Sequence, residues 1–225
     1  MLDFLRLLPT GEGRARLWTQ LVHRGEVHQT TPETGEDRYP RLFDLAAKLK
    51  PGADRILSFG CSTGAELIAI RRRFPDSEII GAEINPRSRR IAVRKIAGDE
   101  RITVVPPSGI AGSFDLVFAL AVLQREPHMI EEIGTEDLTA RYPFDRFDKT
   151  VTKLVDRLEP GGVLCVTSSL YRIEDSSASI NLEPVTESPE APEPFFGRDG
   201  RRLKEASART FFRKRGPGAR RGGER

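Results

Sequence analysis

Residues 55–83, RILSFGCSTGAELIAIRRRFPDSEIIGAE, restrict the fold of this 225-residue chain more than any other stretch. Arg55 to Phe59 form a short run of large apolar residues, the pattern of a strand buried on both faces. Gly60, Cys61, Ser62, Thr63 and Gly64 then supply small residues for a tight turn. Leu67, Ile68, Ile70 and Phe74 recur at helical spacing until Pro75 and Asp76 break the helix. Glu78 to Ala82 return as a second strand, closed by the carboxylate of Glu83. Such a turn brings backbone N–H groups and a helix N-terminus to a ligand, and an acid ending the next strand suits a ribose diol. The unit predicts a nucleotide-type cofactor site.

The rest of the chain repeats the alternation. Leu42, Phe43, Leu45, Ala46 and Leu49 form a helical stripe ended by Pro51 and Gly52. Asn85 is a good N-cap, Pro86 suits the first helical position, and Gly98 closes the end of that helix. Residues 102–105 read as a third strand stopped by Pro106 and Pro107. Residues 114–123, FDLVFALAVL, read as a fourth that becomes loop or helix before it ends. Phe144, Phe147, Val151, Leu154, Val155 and Leu158 mark one face of a long helix. Glu159, Pro160, Gly161 and Gly162 turn the chain, and residues 163–167 make a fifth strand. The expectation is an α/β fold: a Rossmann-like parallel sheet flanked by helices, with an antiparallel edge strand near the C-terminus around Thr210, Phe211 and Phe212.

Four segments follow from this reading. Residues 1–40 are a polar segment or lid with one helix-compatible stretch at 14–22, and residues 41–175 are the cofactor-binding core. Residues 176–215 are irregular, with 181–194 read as loop, and 216–225 form a disordered basic tail. The last 25 residues carry ten Lys/Arg and two Glu, a surplus of +8, against −5 for the 200 before them. The high pI therefore belongs to the tail, and the body is not a basic nucleic-acid surface. The tail itself reads as a solvated segment or as an RNA-contacting one. No apolar run reaches the roughly 18 residues of a membrane span, and Asp3 and Arg6 interrupt the apolar start that a secretion signal requires. A cytoplasmic protein is expected, and two cysteines without metal-ligand spacing agree with a reducing compartment.

At the fourth and fifth strands the chain resembles the class I S-adenosylmethionine-dependent methyltransferases. ILSFGCSTG is similar to the family's first motif, FDLVFALAVL to its fourth-strand motif, and LEPGGVLCV to its turn and fifth strand. The GCSTG wording is close to that of the chemotaxis-receptor methyltransferases. The resemblance implies S-adenosylmethionine as cofactor, with Gly60, Cys61, Ser62 and Gly64 shaping the turn and Glu83 holding the ribose. It also implies Ile84 beside Glu83, and Ala119 and Leu120 at the methyl end. The chain departs from the pattern at three places: Ser62 replaces the second glycine, Ser58 replaces an acid before the turn, and Ser108 stands where an Asp holds the adenine amine.

Several alternatives stay open at this stage. A dinucleotide such as NAD needs a Gly at Ser62 for the pyrophosphate to approach. A non-catalytic S-adenosylmethionine-binding protein is a further possibility, and so is a nucleic-acid methyltransferase, although the Asn-Pro-Pro-aromatic motif is missing. Cys61 is a turn residue or a nucleophile at a helix N-terminus. The three histidines, His23, His28 and His128, match no common zinc site, so no metal is expected. His128, just past the fourth strand, is the candidate catalytic base or a loop residue without a role. Tyr142 and Tyr171 are pocket or packing residues. The acceptor, a small molecule or a protein, is not specified by the sequence.

Overall fold

In the computed structural model the described residues are 38–126, 130, 132–185, 189–191, 195–204 and 207–217, with Gly11 and Gly13. His23, His28, His128, the stretch at 14–22 and residues 218–225 lie outside them. Helix α1 (Pro40–Leu49) leads into β1 (Arg55–Phe59), α2 (Ala65–Arg73), β2 (Glu78–Ala82), α3 (Pro86–Lys95) and β3 (Ile102–Val105). β4 (Phe114–Leu120), α4 (Phe144–Asp156), β5 (Leu158–Thr167), β6 (Leu182–Pro184), β7 (Glu190–Ala191), β8 (Ala208–Arg209) and β9 (Phe211–Lys214) follow.

Seven strands form one sheet in the order β3-β2-β1-β4-β5-β9-β6, and β7 pairs with β8 in a small ribbon. β1, β2, β3, β4 and β5 pair in parallel, while β9 runs antiparallel to both β5 and β6. The antiparallel strand expected around Phe211 is thus present, and β6 covers its outer side. Chain order reverses at β1, whose Ile56–Ser58 segment faces Leu116 to Phe118 of β4. In open α/β sheets the crevice at such a switch point, beyond the carboxyl ends of the strands, receives ligands.

Both faces of the sheet are buried, so the strands read as continuous apolar runs with side chains alternating between two cores. Leu57, Val117, Ala119, Leu164 and Val166 pack with Phe147, Val151 and Leu154 of α4. Ile56, Leu116, Phe118, Val163 and Cys165 pack with Phe43 of α1 and with Leu67 and Ile70 of α2. Tyr142 and Tyr171 are fully buried in an aromatic group with Phe144 and Phe147, and Tyr171 Oη donates to the Tyr142 carbonyl at 2.6 Å. They are packing residues.

Local chemistry fixes the element ends. The Asn85 side chain accepts from the N–H groups of Arg87 and Ser88, which caps α3 as its sequence predicts. β4 stops at Leu120, so residues 121–123 leave the sheet, again as expected. Two stretches differ from expectation. The Glu159 to Gly162 turn is an irregularity within β5, because Phe114 pairs with Leu158 and Leu116 with Val163. A Cβ at Gly162 would lie 2.8 Å from the Glu159 carbonyl oxygen, so the excursion needs glycine there. β6, inside the stretch read as loop, is three residues long and ends on a proline, a composition tolerated on sheet edges. Its partner is β9, and three residues are too few to show a strand's alternation.

Candidate functional site

The turn after β1 is held by backbone bonds to the neighbouring strand. The N–H groups of Gly60 and Cys61 donate to the Ala82 carbonyl at 2.8 and 3.2 Å, and Gly64 N–H donates to the Cys61 carbonyl at 3.0 Å. Gly60 and Gly64 have φ of +85° and +84°, a region where side chains are strained. Each also lies against a neighbour. A Cβ on Gly60 would meet Val122 Cγ2 at 2.6 Å, and one on Gly64 would meet Ala92 Cα of α3 at 3.1 Å. Ser62, in the second-glycine position, adopts φ +48°. Its hydroxyl oxygen is buried and has no hydrogen-bond partner among the described residues.

Glu83 ends β2 beside this turn. Its carboxylate accepts Ser62 N–H at 2.9 Å on one oxygen and Asn85 N–H at 2.6 Å on the other. Arg89 of α3 reaches back to donate to the Glu83 carbonyl at 3.0 Å. Burial raises the Glu83 carboxyl above its ordinary range, and the amide donors and Arg89 oppose the rise. A carboxylate has about four lone-pair sites, so the three backbone donors Ser62, Asn85 and Ile84 leave room for one more. The turn from Gly60 to Gly64 and Glu83 are thus tied together beside the crevice, and half-buried Ile84 follows Glu83 in the chain. Ser108 is exposed in the short 3-10 turn Pro107–Gly109 after β3.

Cys61 behaves differently from the rest of the turn. Its side chain is buried, and a Cβ on Gly81 would lie 2.9 Å from its sulfur. Burial first, then the charges of Glu83 and Glu66, push the thiol well above the usual range. A buried thiol beside two carboxyls is a poor nucleophile, so Cys61 is a turn and core residue.

The other side of the crevice is built from the ends of β4 and β5. Ala119 and Leu120 are buried on opposite faces of the sheet, so their side chains belong to the two cores. Ala121, at φ +52°, donates its N–H to the Thr167 carbonyl at 2.9 Å. Buried Gln124 donates its side-chain N–H to the Ala121 carbonyl at 3.1 Å. Glu126 and Ser168 adopt φ of +47° and +51°. Among the described residues the four non-glycine positions with positive φ, Ser62, Ala121, Glu126 and Ser168, follow carboxyl ends of β1, β4 or β5. Strained backbone gathers at functional sites because the surroundings must enforce it. Val122 and Ser168 escaped sequence reading, and the sequence places Gln124 only as the start of the segment that follows the fourth strand at the sheet edge. For Gln124 there was a signal, an amide directly after an apolar strand.

Among the described residues no group of three or more His, Cys, Asp or Glu side chains could hold a metal ion. No helix among them is long and apolar enough to cross a membrane.

A family description, methyltransferase domain, matches residues 28–193. No curated protein matches the chain in sequence. Among solved structures, TehB from Haemophilus influenzae is 11% identical with a TM-score of 0.50, over 80% of this chain and 67% of that one. The N-methyltransferase NodS from Bradyrhizobium japonicum WM9 is 17% identical with a TM-score of 0.48, over 80% and 99%. CalS10, an amino pentose methyltransferase from Micromonospora echinaspora, is 19% identical with a TM-score of 0.44, over 79% of this chain. The chain spans 63% of the length of CalS10. The family match covers most of the sequence and includes the glycine turn, Glu83 and all five parallel strands, so the chain belongs to the methyltransferase domain family, whose methyl donor is S-adenosylmethionine.

Proposed function

We propose that this domain binds S-adenosylmethionine in the crevice between the β1 turn and the end of β4, and transfers its methyl group to an acceptor entering over residues 121–124. The observation that carries the reading is the convergence of Glu83 with the turn, through the 2.9 Å bond from Ser62 N–H. The residues fit the donor. The unpartnered Ser62 hydroxyl is a hydrogen-bonding group in need of a ligand, and the bare Cα atoms of Gly60 and Gly64 permit close backbone approach. Glu83 retains acceptor capacity for a ribose hydroxyl, and Ile84 offers an apolar edge to the adenine.

When bound, the donor supplies a methyl group on a positively charged sulfur, open to in-line attack by a nucleophile. The chain's part is then alignment and exclusion of water. Val122 and the β4 end hold the floor of the crevice against Gly60. His128 is the candidate to take a proton from an acceptor that must lose one, and residues before Arg41 are the candidate lid.

Calorimetric titration tests the reading, with S-adenosylmethionine expected to bind and NAD not; NAD binding alone would overturn it. A Glu83→Ala variant is expected to lose at least about tenfold in donor affinity, since it removes a charged acceptor from a ribose hydroxyl. Full affinity in that variant would remove the ribose assignment. Formation of S-adenosylhomocysteine with a cell extract separates an enzyme from a protein that only binds the donor.

A further inference from the structure

Glu66 takes no part in the site described so far. It lies in the first turn of α2, two residues beyond Gly64, and faces β1. Ser58 Oγ, fully buried in β1 two residues before Gly60, donates to Glu66 Oε1 at 2.7 Å. Among the described residues that is the one hydrogen bond the carboxyl makes, and it has no ion pair. Unlike Ser58, Glu66 keeps partial access to solvent.

The surroundings do not compensate its charge. The turn and β5 present the thiols of Cys61 and Cys165, both kept neutral by burial. β4 and α1 contribute Phe118, Phe43 and Ala46 to the same core. Glu83 lies beyond Cys61, and Arg89 of α3 is engaged with the Glu83 carbonyl. Burial therefore pushes the Glu66 carboxyl up to about 7, against a weaker opposing effect from the Ser58 hydroxyl. An acid with no cation beside it is costly for the free protein.

We propose that Glu66, carried on α2 and oriented by Ser58, receives the ammonium of the donor's methionyl arm and gives up a proton as the donor binds. The inference rests on the proposed function. The chain has no acid at position 58, and the Ser58–Glu66 pair presents a carboxylate to the same end of the turn from the helix side. Ionisation on binding leaves the carboxylate paired, so the donor brings the missing cation. Because the free group must first lose its proton, donor affinity is expected to rise about eightfold from about pH 6 to 7.5, with about half a proton released at pH 7.

The test is calorimetry on the full chain with S-adenosylmethionine, at those pH values and in two buffers of different ionisation enthalpy. 5′-Methylthioadenosine, which keeps the nucleoside and lacks the ammonium, serves as the control ligand. The wild type is expected to show the pH slope and proton release with S-adenosylmethionine and neither with the control. Glu66→Gln keeps the shape and the Ser58 bond; it is expected to bind S-adenosylmethionine about tenfold more weakly at pH 7.5, with a flat pH profile and no proton release. It should bind the control ligand as the wild type does. A flat wild-type profile, or the same slope in Glu66→Gln, would overturn the inference while donor binding upheld the function. Loss of control-ligand binding in Glu66→Gln would assign Glu66 a structural role and also overturn it. Failure of the wild type to bind either ligand would remove the proposed function itself, and this inference with it.

Discussion

The two sides of the crevice are built on different principles. On the β1–β2 side, side chains and backbone are locked together: Glu83 holds Ser62 and Asn85, Asn85 caps α3, and Ser58 holds Glu66. On the β4–β5 side the ordering is largely in the backbone, with Ala121, Glu126 and Ser168 in left-handed conformations and Gln124 supporting Ala121. The first side is a socket with specified chemistry. The second is a rim shaped by left-handed backbone, along which stand Gln124, Arg125, Glu126, Thr167, Ser168 and Ser169. The two meet where Val122 covers Gly60, and that contact is the place to break the arrangement.

Gly60→Ala should have the largest effect. The new methyl group would sit 2.6 Å from Val122 Cγ2, at φ +85°. Left-handed strain and overpacking together give an expected loss of about 3 kcal/mol, read from urea unfolding, with donor affinity falling in the protein that still folds. Adding Val122→Ala should recover only part of the steric cost, because the Cβ of residue 122, itself 2.9 Å from the new methyl group, stays in place, and it should leave the conformational part, about 1 kcal/mol. Complete recovery would mean that the turn tolerates side chains and that the two sides meet only by packing. Gly52→Ala is the comparison without a contact, since nothing lies within 4 Å of its Cβ position.

The same contrast explains what could be read from sequence. The socket was legible because its pieces are near in the chain and each carries its own chemical mark: glycine where φ must be positive, Asn before Pro at a helix start, an acid at a strand end. The parallel strands were legible because both faces are buried, so apolar runs stand out. The rim was not. Ala121 and Ser168 carry no mark of strain, because nothing in an Ala or a Ser announces a positive φ that tertiary contacts impose. β6 was missed because three residues ending in proline have no period. Glu66 carries no mark in the sequence, because Ser58 stands opposite it only once the turn has folded.

The second test asks whether the socket carries an electrostatic cost of its own. Glu66 has a folded-state value of about 7 against an ordinary 4.5, so between those values the folded protein keeps a proton that the unfolded chain has lost. Its contribution to stability is therefore greatest below pH 4.5 and declines as pH rises to about 7. Gln does not titrate. Glu66→Gln should match the wild type most closely in acid and exceed its stability above pH 7 by up to about 3 kcal/mol, measured by urea unfolding at pH 5 and 8. A variant less stable than the wild type at pH 8 would show that the carboxylate serves the fold, which would blur the distinction between socket and scaffold.

The smallest expected effects separate the two sides most cleanly, because they change the same backbone property on each. Ser62 and Ala121 hold nearly equal positive φ, +48° and +52°. Glycine at either position relieves that strain, so Ser62→Gly and Ala121→Gly should each raise stability by about 1 kcal/mol. Their consequences for ligands should diverge. Ser62→Gly also removes the buried hydroxyl, which is without a partner in the free protein. Donor affinity should then fall about threefold to tenfold, the worth of one hydrogen bond to the ligand. Ala121→Gly removes no polar group and should leave donor affinity within about twofold, while a loosened rim lowers turnover. Equal loss of donor affinity in both variants would mean that the donor also depends on the rim. Unchanged turnover in Ala121→Gly would mean that the strain at the end of β4 is a by-product of closing the loop against Thr167 and not part of acceptor positioning.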